Sequence, residues 1–92
     1  MTKSLELSEK FEISPEVVFR DVQGEEVILD LKSGIYFGLD EVGALIWKLL
    51  AEGAAVSKIV EALTAEYRVS EEKAEEDILR LVKELRRKGL LI

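Results

Sequence analysis

The chain has 92 residues, enough for one domain and no more, and its 48% hydrophobic and 35% charged content is ordinary for a globular protein. It contains no Cys and no His, which removes thiol nucleophiles, disulfides, the usual zinc ligands and the commonest general base. A formal charge of −6 opposes a phosphate backbone, and no apolar run approaches the roughly 18 residues of a membrane span.

The start lacks a basic-then-apolar signal pattern, so a cytoplasmic protein is expected, without nucleic-acid or membrane partners. Asn is absent and Gln occurs once, which matches the hyperthermophile tendency to avoid labile residues and points to a heat-tolerant source. At this size a core is marginal, so most apolar side chains are needed simply to fold.

Residues 1–14 read as an N-terminal arm and 15–92 as the domain proper. Along the arm Leu5, Leu7, Phe11 and Ile13 alternate loosely, a pattern that fits a docked strand and a frayed tail equally well. After Pro15, Val17 to Val22 reads as a strand, Gln23-Gly24 as a turn and Glu25 to Leu31 as a second strand. In that second strand Val27, Leu29 and Leu31 point one way, and Ile28 and Asp30 the other. Lys32-Ser33-Gly34 has the length of a three-residue hairpin loop, with Gly34 in the left-handed position. A short aromatic strand follows, from Ile35 through Tyr36, Phe37 and Gly38 to Leu39.

Three helices complete the chain. Asp40 caps the first, whose Val42, Leu45, Ile46, Leu49 and Leu50 form one amphipathic stripe before Gly53 ends it. The second carries Val56, Ile59, Val60, Leu63 and Tyr67 on one face. Ser70 caps the third, with Glu71 and Glu72 at the positive end of its dipole and Arg86, Arg87 and Lys88 at the negative end. Its buried stripe is Ala74, Ile78, Leu81, Val82 and Leu85, Gly89 terminates it, and Leu90-Leu91-Ile92 folds back on the core. The order β-β-β-α-α-α describes an α+β domain, a three-stranded antiparallel sheet followed by three helices, and is winged-helix-like.

Chemistry finds little purchase here. Glu75, Glu76 and Asp77 are helix neighbours pointing about 100° apart, so they do not converge as an acid/base pair; Glu76–Arg80 and Glu84–Lys88 read instead as i,i+4 ion pairs. No Gly-rich phosphate fingerprint follows a strand, and neither cofactor nor metal is expected. DNA reading by the third helix is disfavoured, because six basic residues between Glu71 and Lys88 are balanced by six acidic ones.

The third strand stands apart. In a meander it is an edge, and between Gly34 and Asp40 it has none of the Lys, Pro or inward charge that guards native edges. Either the first helix or the arm covers Ile35, Tyr36 and Phe37, or the edge accepts a guest strand by β-augmentation. Leu79, off the central stripe of the third helix, shares its flank with Val82 and Arg86, with Lys83 a little farther round. That flank is the expected second wall of a groove.

These residues resemble the PqqD-like proteins. The likeness lies in Leu29-Asp30, the run Ser33-Gly34-Ile35-Tyr36-Phe37-Gly38-Leu39-Asp40-Glu41-Val42-Gly43, then Ile46-Trp47 and Leu49-Leu50. Asp77-Ile78-Leu79, Leu85 and the Gly89-Leu90-Leu91 ending add to it, so that it covers Val17 to the C-terminus. Two positions depart from the family pattern: Asp40 stands for the usual Asn, and Ala55 for a Thr or Ser that would cap the second helix.

The resemblance implies a winged-helix-like recognition element that binds the leader of a ribosomally made, post-translationally modified (RiPP) precursor peptide. The leader would add as a strand beside the third strand and pack on the third helix, at Ile35, Tyr36, Phe37, Gly38, Leu79, Val82, Lys83 and Arg86. Asp77 matches a frequent family Asp whose role, leader contact or local cap, is left open. The free-standing form looks most like the lasso-peptide branch, whose partners would be a leader peptidase and a macrolactam-forming cyclase. A branch paired with a radical SAM enzyme in pyrroloquinoline quinone synthesis is the alternative.

Overall fold

The computed structural model describes residues 6–92; Leu5 of the arm lies outside them. Three strands, β1 (Val17–Val22), β2 (Glu25–Asp30) and β3 (Ile35–Leu39), form an antiparallel sheet in sequence order. Three helices follow, α1 (Glu41–Ala51), α2 (Val56–Glu66) and α3 (Glu71–Arg87). This is the expected α+β order, and winged-helix-like describes it only loosely. Among the described residues no helix is long and apolar enough to cross a membrane.

β2 ends at Asp30, one residue earlier than its hydrophobic alternation predicts, because the Asp30 side chain builds the turn. Its carboxylate accepts from the Lys32 backbone N–H at 3.0 Å and from Ser33 Oγ at 2.9 Å. Gly34 N–H donates to the Asp30 carbonyl at 2.7 Å with φ at +76°, so the connection is four residues, Leu31 to Gly34, rather than three.

The core lies between one face of the sheet and the helices. Ile28, Trp47, Leu50, Ile59, Leu63 and Ile78 are fully buried there. Phe19 reaches the same layer from β1 and meets Trp47 edge-on, with ring centroids 5.3 Å apart. The register pairs Phe19 with Ile28 and Ile28 with Phe37, which fixes that row as inward. Alternation then turns Val18, Val27, Leu29 and Tyr36 outward. The more apolar face of β2 is therefore the one without helices behind it.

The arm is docked. Phe11 is buried in the core, Ile13 bridges Leu91, and the Ser14 N–H donates to the Leu90 carbonyl at 3.0 Å. Farther back, the carbonyls of Glu9 and Leu7 accept from the N–H groups of Val56 and Ser57, each at 2.9 Å. These are two of the four donors that a helix N-terminus leaves unpaired. Ala55 cannot cap them, and the arm's backbone does so in its place. Asp40 keeps the capping role, its carboxylate accepting from the Gly43 N–H at 2.9 Å.

Candidate functional site

Among the described residues β3 is held to the sheet by β2 alone, and its other side is an open edge. Ile35 is 53% exposed and Tyr36 67%, so neither is covered by α1 or by the described part of the arm. Phe37 is half-buried against the core, and the Lys88 ammonium lies 4.8 Å above its ring. Inner and outer side chains alternate along the edge: Ile35, Phe37 and Leu39 face the helix side, while Tyr36 and Gly38 face outward.

On the helix side a cleft of about 450 Å³ opens between the end of β3, the start of α1 and α3. Its floor is apolar, formed by Leu39, Val42, Ile46 and Leu81, and its α3 rim is Asp77, Arg80 and Glu84. Gly43 belongs to the same wall: a Cβ there would lie 3.2 Å from the Leu39 Cβ, so the close approach of helix and strand needs a glycine.

The rim charges are matched locally. Asp77 accepts from Lys73 Nζ at 3.1 Å and lies 3.4 Å from Arg80 Nη1, while Glu84 pairs with Arg87. The i,i+4 pairs expected from spacing, Glu76–Arg80 and Glu84–Lys88, are thus replaced by Asp77–Arg80 and Glu84–Arg87. Half-buried Asp77 is the stronger attractor for Arg80, and Lys88 is taken by Phe37.

The structure divides the expected site residues between two places. Ile35, Tyr36, Phe37 and Gly38 share the open edge, as predicted. The helix residues do not join them. Val82 is fully buried. Arg86 turns to the arm, 4.9 Å above the Phe11 ring and 3.9 Å from the Glu9 carboxylate. Leu79 and Lys83 share that flank of the helix, half-buried and exposed respectively.

Beside β3 stand instead Asp77, Arg80, Leu81 and Glu84 of α3 and Lys88 at its C-cap. Sequence reasoning assigned Leu81 to the core and Lys88 to the helix dipole. Leu81 does stand at the core margin, where the core opens into the cleft, and Lys88 follows the last turn of α3 with its ammonium over the Phe37 ring. A hint was present: Leu81, Glu84 and Lys88 recur at i, i+3 and i+7, the spacing of one helix face.

The other end of the sheet differs. Beside β1 a hollow of about 270 Å³ is lined by Phe19, Asp21, Glu26, Lys48, Ala51 and Glu52. Lys48 Nζ lies 3.5 Å from Asp21, and Glu26, opposite Asp21 in the register, is 3% exposed. Burial holds the Glu26 carboxyl above its ordinary 4.5, Asp21 pushes the same way, and Lys48 opposes. Among the described residues no group of three or more acidic side chains is placed to hold a metal ion.

Comparison with known proteins bears on the β3 edge. The family model described as coenzyme PQQ synthesis protein D (PqqD) matches residues 25–91. Among solved structures, TbiB1 in complex with the TbiA(beta) leader peptide is 44% identical, with a TM-score of 0.83 over 87% of this chain and 93% of that one. Lasso peptide synthetase B1 complexed with the leader peptide is 33% identical, with a TM-score of 0.84 over 91% of this chain and 99% of that one. No curated protein matches the chain.

Proposed function

The chain belongs to the PqqD family, and from that premise we propose that it is a non-catalytic adaptor for a ribosomally made precursor peptide. It captures the leader as an added strand on β3 and presents the precursor to the enzymes of lasso-peptide synthesis, a leader peptidase and a macrolactam-forming cyclase. The observation that carries this reading is an uncharged, exposed edge strand flanked by an apolar-floored cleft. It sits in a fold shared with two proteins whose structures contain leader peptides.

Magnitudes support a groove rather than an edge alone. Pairing along five residues gives a few backbone hydrogen bonds, each worth about 1 kcal/mol net. Micromolar affinity needs about 8 kcal/mol, before the cost of ordering the peptide. Two or three guest side chains, at about 1.5–3 kcal/mol each on burial, supply the difference. We assign them to the exposed side chains of β3 and to the cleft under Leu81. Leu79, Val82, Lys83 and Arg86 are not assigned to the groove, because none of them lines the cleft, Val82 is buried in the core and Arg86 turns to the arm.

The test is fluorescence anisotropy with a labelled TbiA(beta) leader peptide, alongside leaders of precursors encoded near this chain's gene. Micromolar or tighter binding that changes little with salt, without binding of duplex DNA, is expected. No binding of any of these leaders up to about millimolar overturns the adaptor reading.

A further inference from the structure

A glycine inside a strand costs about 0.5–1 kcal/mol relative to alanine, so its presence asks for a reason. Of the six glycines, four have positive φ and Gly43 is crowded by Leu39. Gly38 has neither reason: its φ is not positive, and a Cβ built on it meets no heavy atom within 4 Å. Nothing among the described residues accounts for the missing side chain.

The space it leaves is on the outward face of the sheet. Gly38 pairs with Val27, which is 37% exposed, and Tyr36 stands two residues away on the same strand and face. Val18, Val22 and Leu29 continue the apolar shelf inward across the sheet. On a strand added to β3, the residue opposite Gly38 projects onto this shelf. Val27 lies two strand spacings from it, about 9.6 Å. A planar ring laid across the bare Gly38 backbone closes that distance to contact, and a short branched side chain does not. An aromatic residue beside an edge glycine is also the pairing that offsets the weakness of glycine in a sheet.

Resting on strand addition at β3, and deepening it, we propose that Gly38 is a specificity-determining vacancy. It admits an aromatic side chain of the leader, which crosses Gly38 to pack on Val27 beside Tyr36. The cleft under Leu81 receives side chains from the opposite face of the same guest strand, so the leader is read on both faces of the sheet.

The experiment compares the wild-type chain with Gly38→Val and Gly38→Ala. Thermal unfolding is measured for each, with anisotropy titrations of the TbiA(beta) leader peptide and of variants carrying Ala or Phe at each position in turn. Both chain variants are expected to unfold no lower than wild type, since each adds strand propensity. Gly38→Val is expected to bind about tenfold more weakly, with Gly38→Ala between. One leader position should favour an aromatic over Ala by a similar factor on wild type and lose that preference on Gly38→Val. Undiminished binding by Gly38→Val, or the absence of any aromatic position coupled to Gly38, overturns this inference alone. Failure of the wild-type chain to bind any tested leader overturns strand addition itself.

Discussion

The sheet has two edges and α3 has two flanks, and the members of each pair differ: one edge carries charge and one flank meets the arm, while the other edge is uncharged and the other flank faces a cleft. The β1 edge carries Arg20 and Asp21, and Lys48 ties Asp21 to α1 across a charged hollow. The β3 edge carries no charge from Ile35 to Leu39 and stands over an apolar-floored cleft. Likewise the Arg86 flank of α3 is covered by the arm, whereas the Leu81 flank faces the cleft. Exposure alone therefore does not mark a binding edge, since Val18 and Val22 of β1 are exposed too. An edge becomes usable when it is uncharged and when a second wall stands close enough to bury the guest's side chains.

The strongest attempt to break this contrast places one charge on each edge. Ile35→Asp removes an apolar contact and buries a carboxylate against the guest, so leader affinity should fall about a hundredfold or more, roughly 3 kcal/mol. Ile35 is largely exposed in the free chain, so the melting temperature should barely move. Val22→Asp on β1, at the far end of the outward shelf, should cost binding far less. Equal losses of binding from the two would dissolve the distinction between the edges.

The covered flank is tested through the arm. Phe11→Ala opens a hole beneath Arg86 and should lower unfolding free energy by about 2–4 kcal/mol in a denaturant titration. Leader affinity of the folded protein should be unchanged. A matched loss of affinity would place the leader on the arm's flank instead. On the open flank, Leu81→Ala should weaken binding about tenfold, and Leu79→Ala should not. The reverse ranking would restore the wall originally expected from the sequence.

That last pair marks where sequence reading stopped. Caps at Asp40 and Ser70, the helix stripes and the terminating Gly89 were all legible, because each is a local rule obeyed locally. The open edge was legible from chain order and from the absence of charge. The flank of α3 was not. Leu79 and Leu81 lie about 100° and 60° to either side of Ile78, and helix geometry alone favours neither. What decides between them is where the arm crosses, a contact between Phe11 and Arg86 made 75 residues apart with no periodic signature. The faces of β2 were opaque for a related reason. Val27, Leu29 and Leu31 form the more apolar set, yet Ile28 is the residue the helices bury.

The smallest effect comes from the guarded end of the sheet. Glu26 holds its proton more tightly in the folded chain than an ordinary carboxyl, chiefly because it is buried and secondly because Asp21 lies opposite. Just above pH 4.5 the folded state therefore carries more protons than the unfolded one. Its contribution is fully present below that value, and stability falls as pH rises through the raised folded pKa, then levels. Glu26→Gln removes the titration, so its stability profile should be flatter in this interval and the variant should be at least as stable as the parent at neutral pH. Urea titrations at several pH values would show this. A Gln variant less stable at neutral pH would mean that attraction to Lys48 outweighs burial and Asp21. The β1 end would then be held by its charges as well as guarded by them.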